Sequence, residues 1–240
     1  MKIALAPLAF APLLVATVAH AQTPPPKDPF LAVEIRFGPY RPSVDDAFSG
    51  ASEKPYDKVF GDATRFMIGA EVDWQLVHIP HFGSLGIGGL VGYTKATAKA
   101  NFTDGSGVSG EDTAFSLWML GALAVLRVDV LARETWIPLV PYVKAGPALG
   151  LWSSTNGLGA SRVGGRLGEG RTGGMFYAVG GMFLLDILDR QAAKTFSAEQ
   201  GVHHTYLFGE LTMAEIRGLG QTGAMQVGDR TWTLGIAVEM

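Results

Sequence analysis

Long segments of alternating polarity are the feature that most constrains how this chain folds. Leu31, Val33 and Ile35 alternate with Glu34 and Arg36. Successive side chains of a β-strand point to opposite faces of the sheet, so such a segment has one apolar face and one charged face. We predict strands in the segments 31–40, 65–76, 85–97, 114–128, 140–152, 175–186, 204–213 and 231–240. The segment 175–186 is the least regular, because it is apolar on both faces.

The length of these segments separates a membrane barrel from an ordinary soluble sheet. Most of them run for about 10 to 13 residues, whereas soluble strands average about 5 or 6. A tilted strand that crosses a membrane needs about 9 to 11 residues. The longest uncharged apolar run after the N-terminal region, 117–126, is too short for a membrane helix, which needs about 20 residues. Only 17% of the residues are charged, against about 25% in soluble domains.

The two faces of the predicted strands indicate which of them meets lipid. The face that carries charge is rich in glycine and holds both signs, as in the interior of a narrow barrel, and Arg127 identifies this face in 114–128. The opposite face is apolar and carries aromatic residues near strand ends, where membrane barrels have aromatic girdles. These aromatic residues are Trp74, Tyr93, Trp118 and Trp232. A soluble barrel would instead place its apolar face inside.

The connections between the strands alternate in length and predict an up-and-down barrel. Long polar connections are expected at 41–63, 98–112, 153–174 and 214–230, and shorter ones at 77–84, 129–139 and 187–203. The last of these contains a predicted short helix across 188–200. Outer-membrane barrels have long outer loops and short periplasmic turns. The sequence therefore predicts an all-β, eight-stranded antiparallel transmembrane barrel with a short helix in one periplasmic turn.

The N-terminal region has the pattern of a secretory signal. Lys2 is followed by the apolar stretch 3–18 and then by Ala19-His20-Ala21, an A-x-A cleavage site. We predict a signal peptide over 1–21, cleaved after Ala21, a proline-rich lead-in over 22–29 and a barrel domain over 30–240. Export by this route places the protein in the outer membrane of a Gram-negative cell.

Three segments resemble known outer-membrane barrels. Pro138-Leu-Val-Pro-Tyr-Val-Lys-Ala-Gly146 resembles the turn-to-strand transition of many proteobacterial outer-membrane β-barrel proteins. Gly201-Val-His-His-Thr-Tyr-Leu-Phe-Gly-Glu210 and Thr231-Trp-Thr-Leu-Gly-Ile-Ala-Val-Glu239 are similar to a myxobacterial family of small eight-stranded barrels. The resemblance implies the fold and supplies no activity, cofactor or site residue.

The last predicted strand has the pattern that the barrel-assembly machinery reads. Every second residue from Trp232 to Met240 is apolar. Such strands usually finish in Phe or Trp, so the final methionine is a departure from the pattern. We expect the assembly machinery to be a partner through this strand, together with outer-membrane lipid and lipopolysaccharide.

Charged residues on the inward face are the candidate functional site. The predicted lumen charge network comprises Glu34, Arg36, Arg65, Glu71, Asp73, Arg127, Lys144, Glu210 and Glu239. These residues either line a narrow pore or pair to fill the lumen. We favour pairing, because eight strands enclose a bore that side chains just fill and an unpaired buried charge is costly. Within the network we expect Arg36 to be flanked by Glu71, Asp73 and Glu239.

Other chemistry has weaker support in the sequence. There is no cysteine, and there is no cluster of Lys and Arg typical of nucleic-acid binding. Four histidines fall in or beside the predicted periplasmic turns: His78, His81, His203 and His204. They either form a metal cluster or are four exposed turn residues. We favour exposed turn residues, and we therefore predict no metal and no cofactor. A lipid-modifying enzyme would need a histidine near the outer loops, where the sequence has none.

One predicted outer loop is basic, and its interpretation stays open. The glycine-rich segment 157–174 carries Arg162, Arg166 and Arg171. It either touches anionic lipopolysaccharide or is a simple exposed loop.

Taken together, the sequence predicts a structural or surface-binding barrel without catalysis. A narrow channel for small solutes is the alternative, and an envelope lipid-modifying enzyme is a less favoured one.

Overall fold

The computed structural model describes residues 30–48, 54–101, 107–156, 159–163, 166–221 and 223–240. Within these residues, eight long strands form the barrel: β1 Leu31–Tyr40, β2 Arg65–Ile79, β3 Gly83–Asn101, β4 Val108–Arg127, β5 Leu139–Asn156, β6 Glu169–Leu184, β7 His204–Glu215 and β8 Asp229–Glu239. The predicted signal peptide, its cleavage site after Ala21 and the lead-in 22–29 lie outside the described residues.

Each strand pairs antiparallel with the next along the chain, and β1 pairs with β8 to close the barrel. The closing ladder places Glu34 opposite Ala237 and Ile35 opposite Ile236. The predicted fold class, a closed eight-stranded antiparallel barrel with up-and-down topology, is confirmed. No helix among the described residues is long and apolar enough to cross a membrane.

Side-chain burial follows the alternation that the sequence predicted. On β1, Glu34 and Arg36 point inward and are buried, while Ile35 points outward and is 58% exposed. The same alternation runs along β5, where Tyr142 and Lys144 are buried. Apolar residues on the outward face are exposed on several strands; examples are Trp74, Leu120, Val143, Leu234 and Ile236.

Two hairpins extend further than the sequence predicted. The predicted loop 98–112 is mostly strand, because the β3–β4 ladder continues to the pair Lys99–Asp112 and resumes at Asn101–Val108. The β5–β6 ladder likewise continues to the pair Ser153–Glu169. These extensions alternate between small and polar residues, so hydrophobic periodicity does not detect them. Three two-residue strands lie in the β5–β6 connection, at Gly159–Ala160, Arg162–Val163 and Arg166–Leu167.

The connections divide the barrel into two ends. The loop end carries 41–64, 102–107, 157–168 and 216–228, and the turn end carries 80–82, 128–138 and 185–203. The predicted helix in the last turn is present as α3, Arg190–Gln200, preceded by a 3₁₀ turn, Leu185–Ile187. Three helical segments escaped the prediction: a 3₁₀ turn Val44–Phe48, the helix α1 Pro55–Phe60 and the helix α2 Val130–Glu134. The predicted turn helix is therefore present, and the structure adds a second one, α2, which is too short to show a helical period.

Two glycines on β3 provide a test of the strand packing. A Cβ atom on Gly86 would lie against the backbone carbonyl of Trp74 on β2, whereas a Cβ on Gly89 would meet open space on the outer face. We expect Gly86→Ala to lower the free energy of unfolding by about 1 to 3 kcal/mol, because the neighbouring backbone must move. Gly89→Ala should change it by less than about 0.5 kcal/mol. Urea titration of protein folded into lipid vesicles measures both; equal effects would contradict the close approach of β2 and β3.

Candidate functional site

A network of buried charges occupies the middle of the lumen. Eight of the nine residues predicted from the sequence meet there, and none is more than 6% exposed. They are Glu34, Arg36, Glu71, Asp73, Arg127, Lys144, Glu210 and Glu239. We call these eight side chains the lumen network. Each lies on the inward face of its strand, so the alternation of the sequence places all eight side chains in the lumen.

Glu34 is the centre of the lumen network, because its carboxylate contacts all three cations of the network. Its Oε2 accepts hydrogen bonds from Arg36 Nη2 at 2.7 Å and from Lys144 Nζ at 2.6 Å. Its Oε1 accepts a hydrogen bond from Arg127 Nη2 at 2.9 Å. Glu34 therefore connects charges from β1, β4 and β5 across the lumen.

Arg36 joins Glu34 to carboxylates on β2 and β7. Its Nη1 donates to Glu210 Oε1 at 2.8 Å, and its Nη2 pairs with Glu71. Lys144 Nζ is also 2.7 Å from Glu71 Oε1. The hydroxyl of Tyr142 donates to the other oxygen of Glu210 at 2.9 Å.

Arg127 contacts the carboxylates on the turn-end side of the lumen network. It donates to Asp73 Oδ2 at 2.5 Å and to Glu239 Oε1 at 3.1 Å. Glu239 also accepts from the hydroxyl of Tyr206 at 3.0 Å and from Gln75 Nε2 at 2.9 Å. The expected flanking of Arg36 by Asp73 and Glu239 is therefore wrong; these two carboxylates contact Arg127 instead.

Arg65 lies outside the lumen network. It is the first residue of β2, at the loop end, and its guanidinium donates to the backbone carbonyl of Phe60 at 2.8 Å. The sequence reasoning also missed Gln75, Tyr142 and Tyr206, which complete the hydrogen bonding. Their positions on the inward faces of β2, β5 and β7 were the available signal.

An apolar compartment fills the lumen between the network and the loop end. Its buried members from the strands and adjoining loop include Tyr40, Met67, Leu90, Phe115, Leu117, Met119, Leu123, Phe176, Ile216 and Val227. Val44 and Tyr56 pack onto it from the first loop, so this loop closes the compartment. The cavity that remains measures about 20 Å³, enough for about one water molecule.

Specific contacts hold this first loop in place. The hydroxyl of Tyr40 donates to the carbonyl of Val227 at 2.6 Å. Asp45 accepts hydrogen bonds from the backbone N–H of Tyr56 at 2.8 Å and of Asp57 at 3.1 Å, so it satisfies two donors at the start of α1. Burial raises the pKa of Tyr56 above its usual range. Arg41 pairs with Asp57 and ties α1 to the end of β1.

A second apolar cluster lies towards the turn end. It consists of Val140, Tyr142, Met182, Tyr206, Phe208 and Ala237. Beside it is a cavity of about 50 Å³ whose lining includes Gln75, Ser84, Arg127, His204 and Glu239. This volume has room for several water molecules. We call this partly polar cavity the vestibule. The lumen network thus lies between the apolar compartment on its loop-end side and the vestibule on its turn-end side.

The predicted turn histidines are not brought together. His81 Nδ1 lies 2.5 Å from Glu134, and His78 Nε2 lies 3.0 Å from Arg133. His204 contacts Asp186 at 2.8 Å on a different turn, and the backbone N–H of His203 donates to the Glu239 carbonyl. Among the described residues, the carboxylates close enough to share a metal ion are Glu34, Glu71 and Asp73. Each of these already contacts a cation of the lumen network.

An apolar belt covers the outside of the barrel. Its exposed side chains include Ile35 at 58%, Phe66 at 63% and Leu211 at 65%. Aromatic pairs lie on the same face: the ring centroids of Tyr93 and Trp118 are 4.7 Å apart. The barrel therefore has charges inside and apolar side chains outside, the reverse of a soluble protein.

Comparisons with known proteins give fold likenesses only. The sequence matches no protein-family model and no curated protein. The crystal structure of Ail, the attachment invasion locus protein of Yersinia pestis, matches with 11% identity, covering 89% of this chain and 99% of that one, at a TM-score of 0.44. Ail in complex with the heparin analogue sucrose octasulfate matches with 11% identity over 88% and 97%, also at 0.44. The N-terminal β-barrel domain of Pseudomonas aeruginosa OprF matches with 10% identity over 87% and 97%, at 0.39.

Proposed function

We propose that this protein is an outer-membrane β-barrel of a Gram-negative cell, with a structural or surface-binding role, a closed lumen and no catalysis. The observation that carries the proposal is the reversed polarity of the barrel. Large apolar side chains cover its outer face, and the lumen network is buried inside. Exposed apolar surface on this scale marks contact with a membrane or a partner. A belt that encircles a closed barrel favours the membrane.

The filled lumen supports a closed barrel over the alternative of a narrow channel. Arg36, Arg127 and Lys144 are each neutralised by at least two carboxylates. Conduction would require a continuous water path through this network and through the apolar compartment. The vestibule of about 50 Å³ at the turn end reaches Arg127 and favours the channel.

Export and assembly complete the proposal. The signal over 1–21 would direct export, and β8 would be read by the barrel-assembly machinery. Support for the second point comes from the outer face of β8, where Trp232, Leu234 and Ile236 are exposed. The resemblance to proteobacterial barrels, and to a myxobacterial family among them, agrees with this location. Lipid and lipopolysaccharide are the partners that the belt would meet.

Conductance in planar lipid bilayers tests whether the lumen is closed. We expect the folded wild-type protein to pass no steady current. Arg36→Ala should raise the conductance above this baseline, because Glu34, Glu71 and Glu210 lose a shared cation and the packed centre loosens. Arg65→Ala is the matched control, since Arg65 lies at the loop end, outside the lumen network, and donates to the carbonyl of Phe60. Steady current through the wild type would establish the channel alternative.

A further inference from the structure

The outward-facing cations of the described strands lie at one end of the barrel. Among the described strand residues, the outward-facing Lys and Arg side chains are Lys95 and Lys99 on β3, Arg171 on β6 and Arg230 on β8. All four lie in the loop-end parts of their strands. Arg217, exposed just beyond the end of β7, belongs to the same end. At the turn end, the outward strand positions carry Leu76, Leu85, Leu139 and Phe183 instead.

These cations border directly on the apolar belt. Lys95 follows Tyr93 by two residues on the same face of β3, and Tyr93 packs on Trp118. Arg171 is the cross-strand partner of Leu151, which is in turn the partner of Trp118. Arg230 is the partner of Met213, whose other neighbour is Tyr177. We call Lys95, Arg171, Arg217 and Arg230 the cation rim.

Internal pairing leaves most of this charge available. Lys95 and Arg171 make no ion pair or hydrogen bond with the described residues. Arg230 pairs with Glu215 at 2.7 Å, and this same carboxylate also interacts with Arg217. Among the described residues, Glu215 is the carboxylate that pairs with the rim, and Glu169 shares the outer face of β6 with Arg171. Lys99 is not part of the rim, because it lies further from the belt and pairs with Asp112 at 2.8 Å.

We propose that the cation rim binds the phosphate groups of the lipid leaflet at the loop end, which in an outer membrane is phosphorylated glycolipid. The inference rests on the proposed membrane location. It follows from charge complementarity and from continuity with the belt: a lipid whose chains lie against Trp118 and Leu151 presents its phosphates at the height of Arg171. Guanidinium groups bind phosphate through paired, charge-assisted hydrogen bonds. The described turn-end strand positions carry no outward-facing cation, so among the strands this contact is confined to the loop end.

The test compares two triple variants with the same change in charge. The rim variant is Lys95→Ala/Arg171→Ala/Arg230→Ala, and the control is Lys54→Ala/Lys58→Ala/Lys99→Ala, which removes three cations at the loop end away from the belt. Each protein is folded into zwitterionic phospholipid nanodiscs and titrated with lipid A. The same titration with enzymatically dephosphorylated lipid A isolates the contribution of the phosphates.

We expect the wild type and the control to bind lipid A alike, and the rim variant to bind on the order of 100-fold more weakly, because it lacks three cations that contribute about 1 kcal/mol each near the surface. Dephosphorylated lipid A should bind all three proteins equally weakly. Equal binding of lipid A by the rim variant and the wild type would overturn the inference, as would equal loss in the control. Failure of the wild type to enter nanodiscs at all would instead refute the membrane location.

Discussion

Replacing Glu34 by glutamine is expected to lower the free energy of unfolding by about 3 to 5 kcal/mol, the cost typical of breaking a buried ion pair from one side. Glutamine keeps the shape of the side chain and removes its charge. Arg36, Arg127 and Lys144 would each lose a carboxylate partner at a site that is 0% exposed. Since water does not reach Glu34, nothing else replaces the lost charge.

Urea unfolding of protein folded in lipid vesicles measures this effect. Glu215→Gln is the matched control, because it also breaks an ion pair with arginine but at the exposed surface, where such pairs contribute about 0 to 1 kcal/mol. Adding Lys144→Met to Glu34→Gln should recover part of the loss, since one buried cation is removed with its partner. A Glu34→Gln protein as stable as the wild type would show that the lumen network is hydrated and contributes little.

The sequence located the network residues but not their partners. Period-two alternation assigns each residue to a face, and that was enough to bring Glu34, Glu71 and Lys144 together. It gives no information on height or reach across the lumen, which depend on how the strands are staggered. For that reason Arg65 was included although it lies at the loop end, and Arg127 was not recognised as the partner of Asp73.

The apolar compartment shows a second limit of the sequence reasoning. Arg127 marks the inward face of β4, and the whole face was therefore treated as polar. Leu117, Met119 and Leu123 belong to this same face and are buried in the lumen. A barrel interior changes in character along its axis, so a single charged residue does not define the face over a full strand. The connection 41–63 was predicted, but its packing onto the compartment through Val44 and Tyr56 was not, since α1 has only six residues and shows little periodicity.

Introducing a charge into the apolar belt is the second large effect that we expect. Ile35 is outward-facing and 58% exposed, and its neighbours across the strands are Ala70 and Ile236. Ile35 lies near the middle of β1, and Ile236 is itself outward-facing and 52% exposed. Arginine near the middle of the bilayer costs about 2 to 4 kcal/mol on the lipid face of a barrel. Ile35→Arg should therefore lower the free energy of unfolding in vesicles by this amount, or prevent insertion.

Thr97→Arg separates the effect of lipid from that of the charge itself. Thr97 is also exposed and outward-facing, but it lies on β3 beyond Lys95 and hence above the belt. In urea titrations with the same vesicles, we expect the free energy of unfolding of this variant to lie within about 0.5 kcal/mol of the wild-type value. In detergent micelles, whose apolar layer adapts to the protein, the difference between the two variants should shrink. If Ile35→Arg and Thr97→Arg fold equally well in vesicles, Ile35 does not face hydrocarbon, and the membrane position assigned to the belt is wrong.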